Sequence, residues 1–127
     1  MPDKTIAQKL LLRPGQTLLL VNAPDGYEVT IGALPEGSRV VRQAAGPVEV
    51  IQVFIRSRAD FDSLVPPLRS ALAPKGILWV AYPKGGAKAG VDVNRNSIWD
   101  RAREVSMDAV ANFAVDDVWS ALRIKLL

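Results

Sequence analysis

The run Thr17-Leu18-Leu19-Leu20-Val21 is apolar from end to end and closed on both sides by turn formers, Pro14-Gly15 before it and Asn22-Ala23-Pro24-Asp25-Gly26 after it. A strand with one face in water alternates polar and apolar residues; one that reads apolar throughout is covered on both faces. Such strands belong to parallel sheets sandwiched between helices, and this constrains the fold class more than any other feature of the chain. Two further segments fit beside it. Residues 48–55 are rich in β-branched side chains and follow Gly46-Pro47, which marks a central strand, and Ile77-Leu78-Trp79-Val80-Ala81-Tyr82 reads as another buried one.

The connections read as follows. Residues 5–12 suit a short helix with Thr5 as N-cap, stopped by Pro14-Gly15. A short helix after the Pro24-Asp25-Gly26 turn reaches Leu34, and residues 38–43 form a short strand. Asp60 caps a helix whose apolar stripe is Phe61, Leu64, Val65, Leu68 and Leu72. Pro66-Pro67 kinks or restarts that helix, and Pro74-Lys75-Gly76 ends it. Residues 83–90, with glycines and alanines around Lys84 and Lys88, read as a flexible loop. A helix over residues 97–105 carries Trp99, and residues 107–115 and 118–126 form a hairpin turning at Asp116-Asp117.

Strand, helix, strand units cross over with one hand. The predicted sheet therefore runs 2-1-3-4-6-5, parallel except for the last strand, which inserts beside the fourth. With 127 residues, 49% of them hydrophobic, one α/β domain over 1–127 with a single sheet is expected.

The chain has no cysteine and no histidine, which excludes thiol nucleophiles, disulfides, imidazole bases and the usual zinc or haem ligands. Sixteen Lys and Arg against thirteen Asp and Glu leave +3, spread along the chain rather than gathered, a pattern that disfavours nucleic acid. No apolar run approaches the roughly 18 residues of a membrane span, so a cytoplasmic location is the default expectation.

The segment Val50-Ile51-Gln52-Val53-Phe54-Ile55, followed by Leu68-Arg69-Ser70-Ala71-Leu72-Ala73-Pro74-Lys75-Gly76-Ile77-Leu78-Trp79-Val80 and a final hairpin, resembles the second half of S-adenosylmethionine-dependent methyltransferases. A resemblance across most of the chain, through Leu19-Leu20-Val21-Asn22-Ala23-Pro24-Asp25-Gly26-Tyr27 and Ala114-Val115-Asp116-Asp117-Val118-Trp119-Ser120-Ala121-Leu122-Arg123, is to a bacterial family of domains of unknown function. Both imply a trimmed Rossmann-like, methyltransferase-like fold, and neither brings a catalytic residue. Methyltransferases follow their first strand with a glycine-rich loop and end the second in an acid that binds the ribose hydroxyls. Here that loop offers one glycine, and about 25 residues separate the first strand from the one resembling the methyltransferases' fourth. The expectation is therefore that no cofactor of that type is held.

A parallel sheet of this order brings Asn22 and Asp25, then Arg56, Ser57 and Arg58, then Tyr82, Lys84 and Lys88 to the carboxyl ends of its strands. Ligands bind there in Rossmann-like sheets, so these residues are either an anion pocket or polar side chains that face water at strand ends. The candidate ligand set is Asn22, Asp25, Arg56, Arg58, Tyr82 and Lys84, with Arg56, Arg58 and Lys84 expected to converge. Asp116-Asp117 reads as a turn, and Trp79 and Trp99 as packing. The function expected from these signals is a non-catalytic ligand-binding or interaction domain with a degenerate methyltransferase-like fold. Its partners would be a small anionic ligand, another protein or a second copy. The alternative is a small S-adenosylmethionine-dependent methyltransferase-like enzyme.

Overall fold

The computed structural model describes residues 5–43, 45–84 and 93–126. Six strands form one sheet: β1 (Thr17–Val21), β2 (Arg39–Val41), β3 (Val48–Phe54), β4 (Leu72–Pro83), β5 (Met107–Ala114) and β6 (Trp119–Leu126). Their spatial order is β2-β1-β3-β4-β6-β5, with β1 to β4 parallel and β6 antiparallel to both β4 and β5. This is the mostly parallel Rossmann-like sheet with a closing hairpin that the apolar runs predicted. No helix among the described residues is long and apolar enough to cross a membrane.

Both faces of the sheet are covered, which is why β1 and β3 carry so little polar patterning. On one face α1 (Ile6–Lys9) and α2 (Tyr27–Ile31) lay Ile6, Ala7, Leu10, Tyr27 and Ile31 against Leu18, Leu20, Val50, Phe54 and Trp79. On the other, α3 (Arg58–Leu64), a 3-10 turn (Pro66–Ser70) and α4 (Arg95–Glu104) lay Phe61, Val65, Leu68, Ile98 and Ala102 against Ile51, Val53, Leu78 and Val80. Trp79 is buried packing, its indole N–H donating to the Leu10 carbonyl at 3.0 Å. Trp99 stays 41% exposed and ties α4 to β5 through Asp108, at 3.0 Å. Asp116 makes the hairpin turn, its carboxylate accepting the backbone N–H groups of Val118 and Trp119 at 2.8 Å each.

Several local expectations are corrected. Ser57, not Asp60, caps α3: its hydroxyl accepts the Asp60 N–H, while the Asp60 carboxylate reaches back to the Arg56 N–H. Ser57 holds the extended backbone that a cap requires, whereas Asp60 is already in the first helical turn. The helix then breaks at Pro66, which starts the 3-10 turn. Leu72 belongs to β4, and Pro74-Lys75-Gly76 lies within that strand rather than ending a helix. Val48 pairs with Leu72 and Val50 with Ile77, so two steps along β3 answer five along β4, and the tripeptide bulges from the ladder. Most of the expected loop over residues 83–90 lies outside the described residues, as does Lys88.

The bulge explains Gly76. A Cβ there would lie 2.7 Å from Leu72 Cδ1 and 2.8 Å from the Ala73 carbonyl oxygen, distances at which backbone must move. Gly46, in the loop before β3, has nothing within 4 Å of that position. Gly76→Ala is therefore expected to destabilise the protein by about 1–3 kcal/mol in urea unfolding. Gly46→Ala should lie within about 0.5 kcal/mol of the parent, and equal losses from the two would refute the steric account.

Candidate functional site

The chain leaves β1 toward β2 on one side and returns to β3 on the other, so the sheet changes winding direction beside the carboxyl end of β1. In open α/β sheets the crevice for a ligand opens at this place. Asn22, the first residue after β1, holds a left-handed backbone (φ 59°), and its side-chain amide donates to the Phe54 carbonyl at 2.9 Å, joining the ends of β1 and β3. The loop ends at Gly26, also left-handed (φ 77°), where glycine is free of the Cβ clash. Asp25, between them, is exposed.

Sequence reasoning missed the group that organises this loop. Arg42 follows β2, and its guanidinium donates to both carboxylate oxygens of Glu28, at 2.8 and 2.9 Å. It also donates to the carbonyls of Ala23, at 3.1 Å, and Pro24, at 2.9 Å. One side chain thus fastens the β1 loop and the start of α2 to the end of β2. Its hydrogen bond holds the Glu28 carboxyl down to about 2, from an ordinary 4.5, and the Arg42 pKa rises in return. The only signal in the sequence was a charged residue at the end of a short strand. Its partners are 14 to 19 positions away and belong to the fold.

Along the same face a row of aromatic rings borders the carboxyl edge. Tyr27 meets Phe54 edge-on at 4.7 Å, Phe54 meets Trp119 edge-on at 5.0 Å, and the Arg56 guanidinium lies 4.9 Å from the Trp119 ring centre. Beneath them the Tyr27 hydroxyl faces the wholly buried Gln52 side chain, yet neither group completes a hydrogen bond of good geometry. Burial pushes the Tyr27 phenol above its ordinary value, and Gln52 pulls it part of the way back.

The other sequence-predicted residues are distributed around this edge. Arg58 opens α3 on the opposite face from Arg56. There it lines a groove of about 630 Å³ with Phe61, Asp62, Asn94, Ser97 and Arg101. Arg101 bridges α3 and α4 in that groove, pairing with Asp62 at 2.7 Å and with Glu104. Tyr82 is 7% exposed, its hydroxyl 3.5 Å from the Asn112 side-chain oxygen, and desolvation raises its pKa. Lys84 is exposed, and its backbone N–H donates to the Val118 carbonyl at 2.8 Å. The fold thus gathers Asn22, Asp25 and Arg56 on the loop and aromatic rim, and sends Arg58 and Tyr82 to the other face.

The Glu28 shift carries a pH signature. A carboxyl held below its unfolded value contributes stability that is full above about 4.5 and is lost as pH falls toward about 2. Arg42→Ala should lower the melting temperature at pH 7 by a few degrees, and the gap from the parent should narrow steadily over that acid range. A gap independent of pH between 7 and 2 would mean that Glu28 is not the partner that matters.

No family model and no curated protein matches this sequence. Solved structures do match by fold. A ribosomal protein L11 methylase from Lactobacillus delbrueckii subsp. bulgaricus superposes with a TM-score of 0.64 at 14% identity, over 95% of this chain and 74% of that one. A Burkholderia thailandensis 1,6-didemethyltoxoflavin-N1-methyltransferase, solved with its substrate and S-adenosylhomocysteine, gives 0.60 at 12% identity, over 95% and 76%. A Rossmann-superfamily protein from Streptococcus agalactiae gives 0.55 at 11% identity, over 99% and 69%. These matches correct the reading of the chain as a non-catalytic binding or interaction domain. A ribosomal protein L11 methylase and a methyltransferase solved with S-adenosylhomocysteine each share its fold over 95% of this chain, which backs the alternative reading better than the main one. The chain has a trimmed, methyltransferase-like Rossmann fold.

Proposed function

We propose that this chain is a small methyltransferase-like enzyme that binds S-adenosylmethionine across the carboxyl ends of β1 and β3. The observation that carries the proposal is the placement of the Asn22–Gly26 loop. It stands at the point where the winding of the sheet reverses, pinned to β3 by Asn22 at one end and closed at the other by Gly26, whose missing Cβ lets backbone come close to a ligand.

The residues present fit such a molecule through a rearranged set. The amino-acid end carries a carboxylate, for which Arg56 is available on the Trp119 ring as a planar donor. The ribose diol needs an acceptor. The end of β2 does not supply one, because Arg42 stands there and Glu28 is already paired with it. Asp25, exposed on the β1 loop, supplies the acceptor from the other side. Arg42 then acts as a positioning residue that keeps the carbonyls of Ala23 and Pro24, and with them Asp25, in place. When bound, S-adenosylmethionine supplies an electrophilic methyl group. The chain contributes orientation and a rim of buried rings that keeps water from one side of the site.

Calorimetry with S-adenosylhomocysteine tests this. Saturable binding is expected, weakened about tenfold, or ~1.4 kcal/mol, by Arg56→Ala and by Asp25→Asn. No binding at millimolar ligand, or full affinity in both variants, would overturn the proposal.

A further inference from the structure

The opposite edge of the sheet holds a second concentration of polar chemistry that the proposed enzyme site does not use. At the amino ends of β1, β3 and β4 a groove of about 460 Å³ is lined by Arg13, Gln16, Glu49, Lys75, Gly76 and Arg123. Three of these are cations, and the one acid, Glu49, has an oxygen engaged by the Thr17 backbone N–H at 2.8 Å. None of the three cations is ion-paired among the described residues.

Arg123 is the telling member. It follows Trp119 and Ala121 on one face of β6; those two are 5% and 0% exposed, and Arg123, level with Trp79, is half-buried. A partly desolvated guanidinium on an apolar strand face is costly unless something negative meets it. Lys75 adds a second, independent sign. It is a non-glycine residue in the left-handed region (φ 64°), at the tip of the bulge that Gly76 alone can close. Strain of this kind persists where the surroundings impose it, often beside a binding site. The bulge carries Lys75 toward the groove that Arg123 lines from β6 and Arg13 from the segment before β1.

We infer that this groove is an anion site for the phosphate group of a small phosphate-bearing molecule, separate from the carboxyl-edge site. Three cations against one carboxylate leave two positive charges, the complement of a phosphate carrying roughly −1.5 to −2 at neutral pH. Arg13 and Arg123 offer planar forks suited to its oxygens, and Lys75 a point charge.

Inorganic phosphate is the probe, followed by thermal shift and calorimetry at low and at physiological salt. Wild type should bind saturably, and Arg123→Gln and Arg13→Gln should each weaken binding by at least about tenfold. Arg58→Gln, which removes a cation from the far edge, should leave the affinity unchanged. Arg13 is exposed, so its variant keeps the test meaningful if Arg123→Gln folds poorly. The inference is overturned if wild type shows no saturable binding, if the Arg13 variant binds as wild type does, or if Arg58→Gln weakens binding as much as Arg13→Gln.

Discussion

The burial of β3 on both faces is the interaction on which the rest of this structure depends. Val50 and Phe54 point into one core and Ile51 and Val53 into the other, each at most 1% exposed. Side chains that alternate across a strand can all be apolar only if a helical layer covers each face. α1 and α2 on one side and α3 and α4 on the other are therefore requirements of that strand. The same strand presents the Phe54 carbonyl to Asn22 at one end, and carries Glu49 at the other. Both candidate sites are in this sense the two ends of one buried strand.

Gln52 is the one polar residue buried within that strand. It is wholly buried, and neither polar atom of its side chain completes a hydrogen bond of good geometry. A buried polar group left unpaired costs free energy on the order of 1–3 kcal/mol. Its neighbour there is the Tyr27 hydroxyl, at the start of the helix that follows the β1 loop. The weakest polar pairing in the core thus lies under the loop assigned to the ligand.

The sheet was legible because its signals are local. A continuous apolar run, a β-branched run and an Asp-containing turn each mean the same thing wherever they occur, and together they fix strand order through the handedness of crossovers. What was not legible depends on pairing. Arg42 is an ordinary charged residue until the fold brings Ala23, Pro24 and Glu28 to it. Pro74-Lys75-Gly76 has the composition of a helix stop, and only the register of β3 against β4 makes it a bulge. Arg56 and Arg58, two apart, would share a face in a strand. Phe54 ends β3 and Arg58 begins α3, so the chain turns between them and the two side chains part. Capping failed for a related reason: Ser57 and Asp60 are both acceptable caps by residue type, and backbone dihedrals choose between them.

The hairpin places the last strand in chain order, β6, between β4 and β5 rather than at the rim. During synthesis the edge of β4 has no partner until β6 has emerged, and β5 has nothing in the sheet to join before then. A nascent chain stopped at Ala114 would hold a four-stranded parallel half-sheet with an open, apolar border, exposing Val80 and Trp79 to other chains. Closure of this sheet thus waits on β6, the one strand that joins β5 to the rest.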